Sequence, residues 1–228
     1  MRISVIIPTL NEAETIVDTL HRVHRQPGPL ECIVVDGGST DATCERAASR
    51  ATVLNGPRGR GPQMNWGAKV ASGEAFVFLH ADTRLPPGGL SHIREALRHP
   101  ATESGVFRLA FDATTPWLRF YSWCTRWPWI RLAFGDRGLF ATAEAFEAVG
   151  GFPEWPLFED LELADRLHQR GTFRFLPQAV TTSARRFQQN GTVRQQLRNL
   201  YLWMHYLRGT DPHTLAHLYA YDESPDRG

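Results

Sequence analysis

Short apolar runs and segments of mixed polarity alternate along the first eighty residues of the chain. The apolar runs occupy residues 3–7, 32–35, 52–54 and 75–79, and the segments between them for which we predict helices occupy residues 11–25, 42–49 and 63–71. An apolar run bounded by polar residues is typical of a strand buried on both faces of a parallel sheet. The alternation therefore predicts a right-handed α/β sheet whose strands are mostly parallel.

The rest of the chain continues this pattern less regularly. Strands are predicted near residues 106–111, 139–140 and 173–175, and helices near residues 90–97, 144–149, 159–170, 193–207 and 212–221. Neither an internal repeat nor a low-complexity linker divides the sequence. We therefore predict one α/β domain over residues 1–228, with a mostly parallel central sheet flanked by helices and a helical C-terminal tail over residues 191–228.

Polar side chains follow three of the predicted strands. Thr9, Asn11 and Glu12 follow the first strand, Asp36, Ser39 and Asp41 follow the second, and His80 and Asp82 follow the fourth. Parallel strands end at the same edge of a sheet, so these side chains can converge on one ligand. Asn11 and Asp41 are also typical helix N-cap residues, and we expect Asn11 both to cap the first helix and to line the site.

Composition limits the possible functions. The net charge of +1 offers no support for general nucleic-acid binding. The three cysteines (Cys32, Cys44 and Cys124) are scattered, which predicts a reducing compartment and neither a disulfide framework nor a zinc site. Residues 3–7 are too short for a signal peptide, and no stretch approaches the roughly 18 apolar residues that span a bilayer. We expect a cytoplasmic protein, or one peripheral to the inner face of the membrane.

Four motifs resemble those of family-2 glycosyltransferases of the GT-A fold. They are Ile-Ile-Pro-Thr-Leu-Asn-Glu at residues 6–12, Val-Val-Asp-Gly-Gly-Ser-Thr-Asp at 34–41, Leu-His-Ala-Asp at 79–82 and Phe-Glu-Asp at 158–160. The resemblance covers about residues 3–176 and is strongest to a short, soluble bacterial branch with a His-Ala-Asp motif. It implies a hexosyltransferase-type enzyme that moves a sugar from a UDP- or GDP-linked donor to an unknown acceptor, with a divalent metal and inversion. Residues 1–112 would bind the donor and residues 113–190 the acceptor.

The resemblance also implies the residues of the donor site. Asp82 would hold Mg²⁺ or Mn²⁺, cations that often take one or two carboxylates together with phosphate oxygens. His80 stands where the family usually has a second aspartate, and it could ligate Mn²⁺, bind the donor sugar or orient Asp82. Asp36 would accept a hydrogen bond from the nucleotide base. The other implied donor-binding residues are Pro8, Thr9, Asn11, Glu12, Gly37, Arg58, Arg60, Asn65 and Ala81. Arg58 and Arg60 either contact phosphate or are solvated loop charges.

Inverting transfer also requires a base that takes the proton of the acceptor hydroxyl. Asp160 resembles the family's catalytic base. Glu159 lies beside it, but adjacent helical residues do not share a face, so only one of the two should reach the acceptor. Asp136 is a further candidate on the acceptor side. The alternative is that Glu159 and Asp160 only stabilise a helix N-terminus through the helix dipole.

Two segments leave alternatives open. Arg185 or Arg186 either closes over the donor diphosphate or lies on the surface; the Gln-x-x-Arg-Trp motif of processive relatives is absent there, so we expect a non-processive enzyme. Residues 117–134 interleave aromatic side chains with Arg119, Arg126 and Arg131. This segment either faces a membrane or lipid-linked acceptor, stacks on sugar rings, or is a bulky part of the core, and Trp203 has the same alternatives.

Three other functions fit parts of the pattern. A nucleotidyltransferase that makes nucleotide sugars would place its Gly/Arg loop directly after the first strand, where this chain has Pro-Thr-Leu-Asn-Glu. A nucleotide-sugar-binding module with a degenerate site is suggested by His80. A membrane-surface transferase that acts on a polyprenyl phosphate is suggested by the aromatic residues 117–134.

Overall fold

The computed structural model describes residues 1–113, 115–185 and 192–221, and its elements follow the predicted order closely. The strands are β1 (Ile3–Thr9), β2 (Leu30–Asp36), β3 (Thr52–Asn55), β4 (Ala75–Phe78), β5 (Thr83–Arg84), β6 (Thr102–Phe111), β7 (Leu139–Thr142) and β8 (Thr172–Thr182). The helices are α1 (Ile16–His24), α2 (Thr43–Ala48), α3 (Arg60–Val70), α4 (Gly89–Leu97), α5 (Pro116–Cys124), α6 (Ala143–Ala148), α7 (Glu159–Arg170), α8 (Thr192–Leu207) and α9 (Pro212–Tyr221). Two 3₁₀ turns, Ile130–Leu132 and Gly135–Arg137, lie between α5 and β7.

The strands of the described residues form one sheet in the order β3-β2-β1-β4-β7-β6-β8-β5. β1 is parallel to β2 and β4, and β2 is parallel to β3. β7 is antiparallel to both β4 and β6, whereas β6 and β8 are parallel again. The prediction of an α/β domain with a helical tail is therefore confirmed. β5 and β7 make the sheet mixed, and the parallel strands β1, β2 and β4 bring their carboxyl ends to one edge.

Both faces of the sheet are covered, which explains why the strands are continuous apolar runs. Side chains alternate along β1, so that Val5 joins the core with Leu20 of α1 and Ile6 joins a second core with Phe78 of β4. In this second core the ring of Phe78 lies 4.8 Å from that of Phe152, measured between centroids, in an edge-to-face arrangement. Apolar residues on both faces of a strand therefore stabilise two layers of helices at once.

The first helix begins later than predicted, and the expectation that Asn11 caps it is wrong. Asn11 has a φ of 55°, in the left-handed region, and α1 begins only at Ile16. The amide oxygen of Asn11 instead accepts a hydrogen bond from the backbone N–H of Thr40, at 2.9 Å. Asp41 does bond the first turn of α2, since its carboxylate accepts from the Thr43 N–H at 3.0 Å. The Asn11 side chain thus joins the loops after β1 and β2.

Most aromatic side chains of the segment after β6 lie outside the core, so the core alternative is wrong for them, whereas Tyr121 packs against the core. Leu118 of α5 is buried, but Trp117, Phe120, Trp123, Trp127 and Trp129 are 48–62% exposed. Trp203 of α8 is half-buried and donates its indole N–H to the carbonyl of Arg131 at 3.0 Å. Within the described part of the chain, no helix combines the length and the apolar character needed to cross a bilayer.

Candidate active site

Hydrogen bonds join the ends of β1 and β2. Asp36, the last residue of β2, is 3% exposed, and its carboxylate accepts from the Thr9 hydroxyl at 3.1 Å and from the N–H groups of Gly38 and Ser39 at 2.9 and 2.7 Å. The Ser39 hydroxyl donates to it as well. Burial alone would raise the pKa of Asp36, but these hydrogen bonds outweigh it and lower the pKa. The carboxylate is therefore ionised at neutral pH and held in one position at the ends of β1 and β2.

The sequence analysis did not identify a role for Gln63, whose side chain bridges the ends of β1 and β2. Its amide nitrogen donates to the carbonyls of Thr9 and Val35 at 2.8 and 2.7 Å, and the side chain is buried. A Cβ on Gly37 would lie 3.1 Å from this amide, so glycine allows the close approach. Pro8 is buried beside Val35 in the ladder. A glutamine in the first turns of a helix belongs to no recognisable sequence motif, so only the structure shows that Gln63 joins the two strands.

Glu12 connects the donor-side loop to the far end of the domain. Its carboxylate lies 3.1 Å from the guanidinium of Arg185, which follows β8, and its backbone N–H donates to the Thr43 hydroxyl at 2.8 Å. Asn11 beside it is exposed. Of the two arginines considered from the sequence, Arg185 thus reaches the strand-end edge, and Arg186 lies outside the described residues.

The Gly/Arg loop leads into an ion pair between the partly exposed Arg60 and the buried Glu159. Arg60, the first residue of α3, places its Nε 3.1 Å from Oε1 of Glu159, which is 2% exposed. Burial raises the pKa of Glu159 to about 7, the Arg60 charge opposes this rise, and Asp160 adds to it. Arg58 is exposed. Both polar atoms of the Asn65 amide bond the Phe152 backbone at 2.9 Å, so Asn65 fixes the loop before α7.

Asp82 lies in the turn between β4 and β5, at the same edge. The Thr83 N–H donates to the carbonyl of His80 at 3.0 Å, and the Thr19 hydroxyl donates to the carbonyl of Ala81 at 2.6 Å. These bonds hold the turn that presents Asp82, whose side chain is half-buried and has the hydroxyls of Thr83 and Thr182 at 3.4 and 3.5 Å from Oδ1. Such long contacts leave the carboxylate available for a cation.

A cluster of acidic groups lies beyond Asp82. Burial raises the pKa of Asp136 to about 7, and the negative charges of Asp160 and Asp82 add to the rise. Oδ1 of Asp136 is buried and has no hydrogen-bond partner among the described residues. Asp160 is 8% exposed, and its carboxylate accepts hydrogen bonds from the N–H groups of Gly135 and Leu161. A Cβ on Gly135 would lie 2.9 Å from Oδ2 of Asp160, so a glycine is needed for this contact.

Two further residues support this acidic cluster. Arg137 is fully buried, and its guanidinium donates to the carbonyls of Phe107, Leu132 and Thr125 at 2.7, 2.8 and 3.2 Å. Burial lowers the pKa of Arg137 to about 10, so it remains cationic at neutral pH. Burial raises the pKa of Tyr121 of α5 well above the ordinary value, and the negative charges of Asp136 and Asp160 add to the rise.

The residues present fit a divalent cation that is completed by a ligand. In the described ranges, no three His, Cys, Asp or Glu side chains form a protein-only metal cage. Mg²⁺ and Mn²⁺ do not require one, since they are commonly bound by one or two carboxylates together with phosphate oxygens and water. The half-buried Asp82 and the unpartnered oxygen of Asp136 supply carboxylate oxygens of this type.

The fold matches that of solved GT-A glycosyltransferases. A fragment of TarS from S. aureus superposes with a TM-score of 0.65 and 18% identity, over 81% of this chain and 61% of that chain. The mannosyltransferase PcManGT from Pyrobaculum calidifontis, in complex with GDP-Man and Mn²⁺, has a TM-score of 0.62 and 24% identity, over 78% of this chain and 56% of that chain.

The family model of Glycosyl transferase family 2 matches residues 4–151, which is well over half of the chain. The chain belongs to this family. It is 33% identical over 108 residues to a dolichol-phosphate mannosyltransferase of Pyrococcus furiosus, covering 43% of this chain and 31% of the relative. It is 38% identical over 91 residues to a PGL/p-HBAD biosynthesis glycosyltransferase of Mycobacterium bovis, covering 36% of each chain. The matched stretches thus span about a third of the length of these relatives.

Proposed function

We propose that the chain transfers a hexose from a UDP- or GDP-linked donor to an acceptor hydroxyl, with inversion and without processivity. One observation carries the proposal: Asp36, Asp82 and Asp160 lie on different elements of the fold, and the first two lie at the same sheet edge within the residues that the family model matches. Their surroundings differ, as the different roles require. Asp36 is held by several hydrogen bonds, Asp82 has only long hydroxyl contacts, and Asp160 is fixed beside Gly135.

The donor half of the proposal comprises residues 1–112. Solved neighbours support a nucleotide-sugar donor, because TarS has been crystallised with UDP and with UDP-GlcNAc and PcManGT with GDP-Man and Mn²⁺. Asp36 and Thr9 would hold the nucleotide, with Arg60 or Arg58 near the phosphates. Asp36 already accepts several hydrogen bonds, so a base would share this carboxylate with Ser39 and Gly38.

Asp82, with Asp136 nearby, would hold the divalent cation. A cation there supplies positive charge to the diphosphate that departs as negative charge develops on it. Arg60 and Arg185 would add positive charge from two sides of the same edge, through the loop before α3 and the loop after β8. Both arginines are paired with glutamates, which keeps them at this edge.

The acceptor half comprises residues 113–190, and Asp160 would be the base. The Gly135 N–H holds its carboxylate, and the first turn of α7 places it on the same side as Asp136. The Asp160 carboxylate would take the acceptor hydroxyl proton while that oxygen attacks the anomeric carbon, and the leaving diphosphate would take the electron pair of the broken bond. Glu159 is engaged by Arg60, which leaves Asp160 as the carboxylate for this step.

A donor screen followed by a transfer assay tests the proposal. Thermal unfolding is measured with UDP- and GDP-sugars, with and without Mn²⁺, because a ligand that binds the native state raises the melting temperature. We expect Asp160→Asn to keep donor binding and to lose transfer. Asp165→Asn is the matched control, because Asp165 lies on the same helix and bonds only the exposed Gln169 in the described structure.

The outcomes separate this function from its rivals. Donor binding without transfer to any acceptor, together with no effect of Asp160→Asn on slow donor hydrolysis, would instead favour a binding module with a degenerate site. Transfer that survives Asp160→Asn at an unchanged rate would contradict the assignment of the base.

A further inference from the structure

Two segments that are joined by the hydrogen bond from Trp203 to Arg131 carry most of the exposed apolar side chains among the described residues. Among the described residues, ten of the fourteen large hydrophobic side chains that are exposed come from two segments, α5 with the residues that follow it and α8. The first segment contributes Trp117, Phe120, Trp123, Trp127 and Trp129, and the second contributes Leu197, Leu200, Tyr201, Met204 and Leu207. We call these ten residues the aromatic face. Exposed apolar surface that is concentrated in this way marks an interaction site.

The fold holds the aromatic face in place. Leu118 is buried and Tyr121 packs against the core, with its ring centroid 5.8 Å from that of Phe111, so the helix α5 is fixed by its inner side. On its outer side the rings of Phe120 and Trp123 stack with centroids 6.0 Å apart, and Trp127 meets Trp123 edge to face at 6.3 Å. The hydrogen bond from Trp203 to the carbonyl of Arg131 joins α8 to the segment that follows α5.

The charged side chains of these two segments are all basic. Residues 113–134 contain three arginines and no acidic residue, and residues 192–208 contain three arginines and no acidic residue. The whole chain, in contrast, has 25 basic and 24 acidic residues. Beside α5 a groove of about 450 Å³ is lined by Arg108, Arg119, Arg126 and Trp123, and it contains no acidic side chain among its lining residues.

This charge distinguishes between two occupants of the face. Each copy carries five arginines with described side chains on these two segments, and a second copy related by a two-fold axis would set them against five more, with no carboxylate in either segment. An anionic lipid surface provides the opposite charge for the arginines and an apolar layer for the rings. Tryptophan and arginine are well suited to such an interface, because each combines an apolar body with a polar end.

We propose that the aromatic face docks on an anionic membrane surface, with lipid phosphate groups in the arginine-lined groove. The face also adjoins the candidate active site, since the carbonyl of Thr125, directly after α5, accepts a hydrogen bond from Arg137, the residue that follows Asp136. On the α8 side the ring of Tyr206 stacks on Phe158 at 4.7 Å, and Phe158 immediately precedes Glu159. Docking would therefore bring a membrane-borne acceptor to Asp160, and this last statement rests on the proposed function.

Vesicle co-sedimentation of the full chain tests the proposal. Vesicles of phosphatidylcholine alone are compared with vesicles in which about a third of the lipid is phosphatidylglycerol, at low salt and at about 0.5 M salt. We expect binding to the anionic vesicles at low salt and weak binding otherwise. The double variant Arg119→Gln/Arg126→Gln should weaken the partition about 25-fold, at about 5-fold for each arginine. The double variant Phe120→Ser/Trp127→Ser should weaken it at least about tenfold.

Trp66→Ser is the matched control, because Trp66 is 43% exposed but lies on α3, outside the aromatic face. It should bind vesicles as the unchanged chain does. Equal binding to both kinds of vesicle, no binding to either, or unchanged binding by the two double variants would overturn the proposal. A dimer in sedimentation velocity that these variants dissociate, without vesicle binding, would assign the face to a second copy and would overturn it too.

Donor binding separates this proposal from the proposed function. The thermal shift by UDP or GDP with Mn²⁺ should be unchanged in both double variants, which also shows that they are folded. If the chain binds anionic vesicles but no nucleotide, the proposed function is contradicted and the membrane-docking proposal still holds.

Discussion

The buried Arg137 should make one of the largest single contributions to the stability of the acceptor half. Its guanidinium bonds three backbone carbonyls from separate segments: Phe107 in β6, Thr125 after α5 and Leu132 in a 3₁₀ turn. It follows Asp136 and shares a 3₁₀ turn with Gly135, which bonds Asp160. The substitution Arg137→Met keeps much of the side-chain volume and removes every donor.

The magnitude follows from the hydrogen bonds that are lost. Each bond from a charged donor contributes roughly 1.5–3 kcal/mol, and a buried carbonyl left without a partner costs about 1–3 kcal/mol. The burial cost of the charge disappears in the variant and offsets part of this loss. We therefore expect Arg137→Met to lower the free energy of unfolding by about 3–5 kcal/mol, a large part of the roughly 5–15 kcal/mol of a typical domain.

Urea unfolding followed by tryptophan fluorescence measures this loss. At a slope of roughly 2–3 kcal/mol/M, the midpoint should fall by about 1–2 M with little change in slope. Arg98→Met is the control, because Arg98 is 76% exposed in a surface pair with Glu95 and should matter by less than about 1 kcal/mol. A loss for Arg137→Met that is no larger than for Arg98→Met would refute the reasoning.

Three further predictions concern the acidic residues. Asp160→Asn should lower kcat by about 10²–10⁴-fold in a steady-state transfer assay while the donor affinity stays the same; an equal loss in Asp165→Asn would contradict this. The pKa of Glu159 is about 7 in the fold against an ordinary value of 4.5, so the native chain holds more protons, and the free energy of unfolding should fall as the pH rises from about 4.5 to 7. Glu159→Gln should remove up to roughly 3 kcal/mol of this fall in urea titrations across that range, and an unchanged pH slope would count against it. The pKa of Asp36 is lowered in the fold, so its ionised form stabilises the native state. Asp36→Asn should therefore lower the free energy of unfolding by about 1–3 kcal/mol at pH 7, and by less as the pH falls below the pKa of Asp36. A loss of stability in thermal unfolding that does not depend on pH would be inconsistent with an ionised carboxylate.

The elements with a regular local pattern could be predicted from the sequence. α7 was predicted at residues 159–170 and is found at Glu159–Arg170, because acidic residues begin it and Gly171 follows its end. β4 was predicted to within one residue, because its apolar run is buried on both faces. β8 was predicted at residues 173–175 but extends over Thr172–Thr182. Its length is set by pairing with β6, and the register shifts in that pairing break the regular alternation that would have indicated a long strand in the sequence.

Other features depend on contacts between distant residues. The structural role of Arg137 was not predicted, because its partners are backbone carbonyls, which every residue has and which no sequence pattern identifies. The exposure of the aromatic face could not be predicted either, because α5 has apolar residues on both its inner and outer sides. Asn11 has the side chain of an N-cap, but the chain turns at a positive φ and uses that side chain to reach Thr40.

The central claim is that the strand-end edge binds a nucleoside diphosphate together with a cation at Asp82. Thermal unfolding of the unchanged chain and of Asp82→Asn, with UDP or GDP and with or without Mn²⁺, tests it most directly. At about 100 times Kd a ligand contributes about 2.7 kcal/mol, which should raise the Tm of the unchanged chain by about 5–10 °C. The account predicts that Asp82→Asn loses the part of this rise that depends on Mn²⁺. An equal Mn²⁺-dependent rise in both proteins, or no rise with either nucleotide, would contradict it.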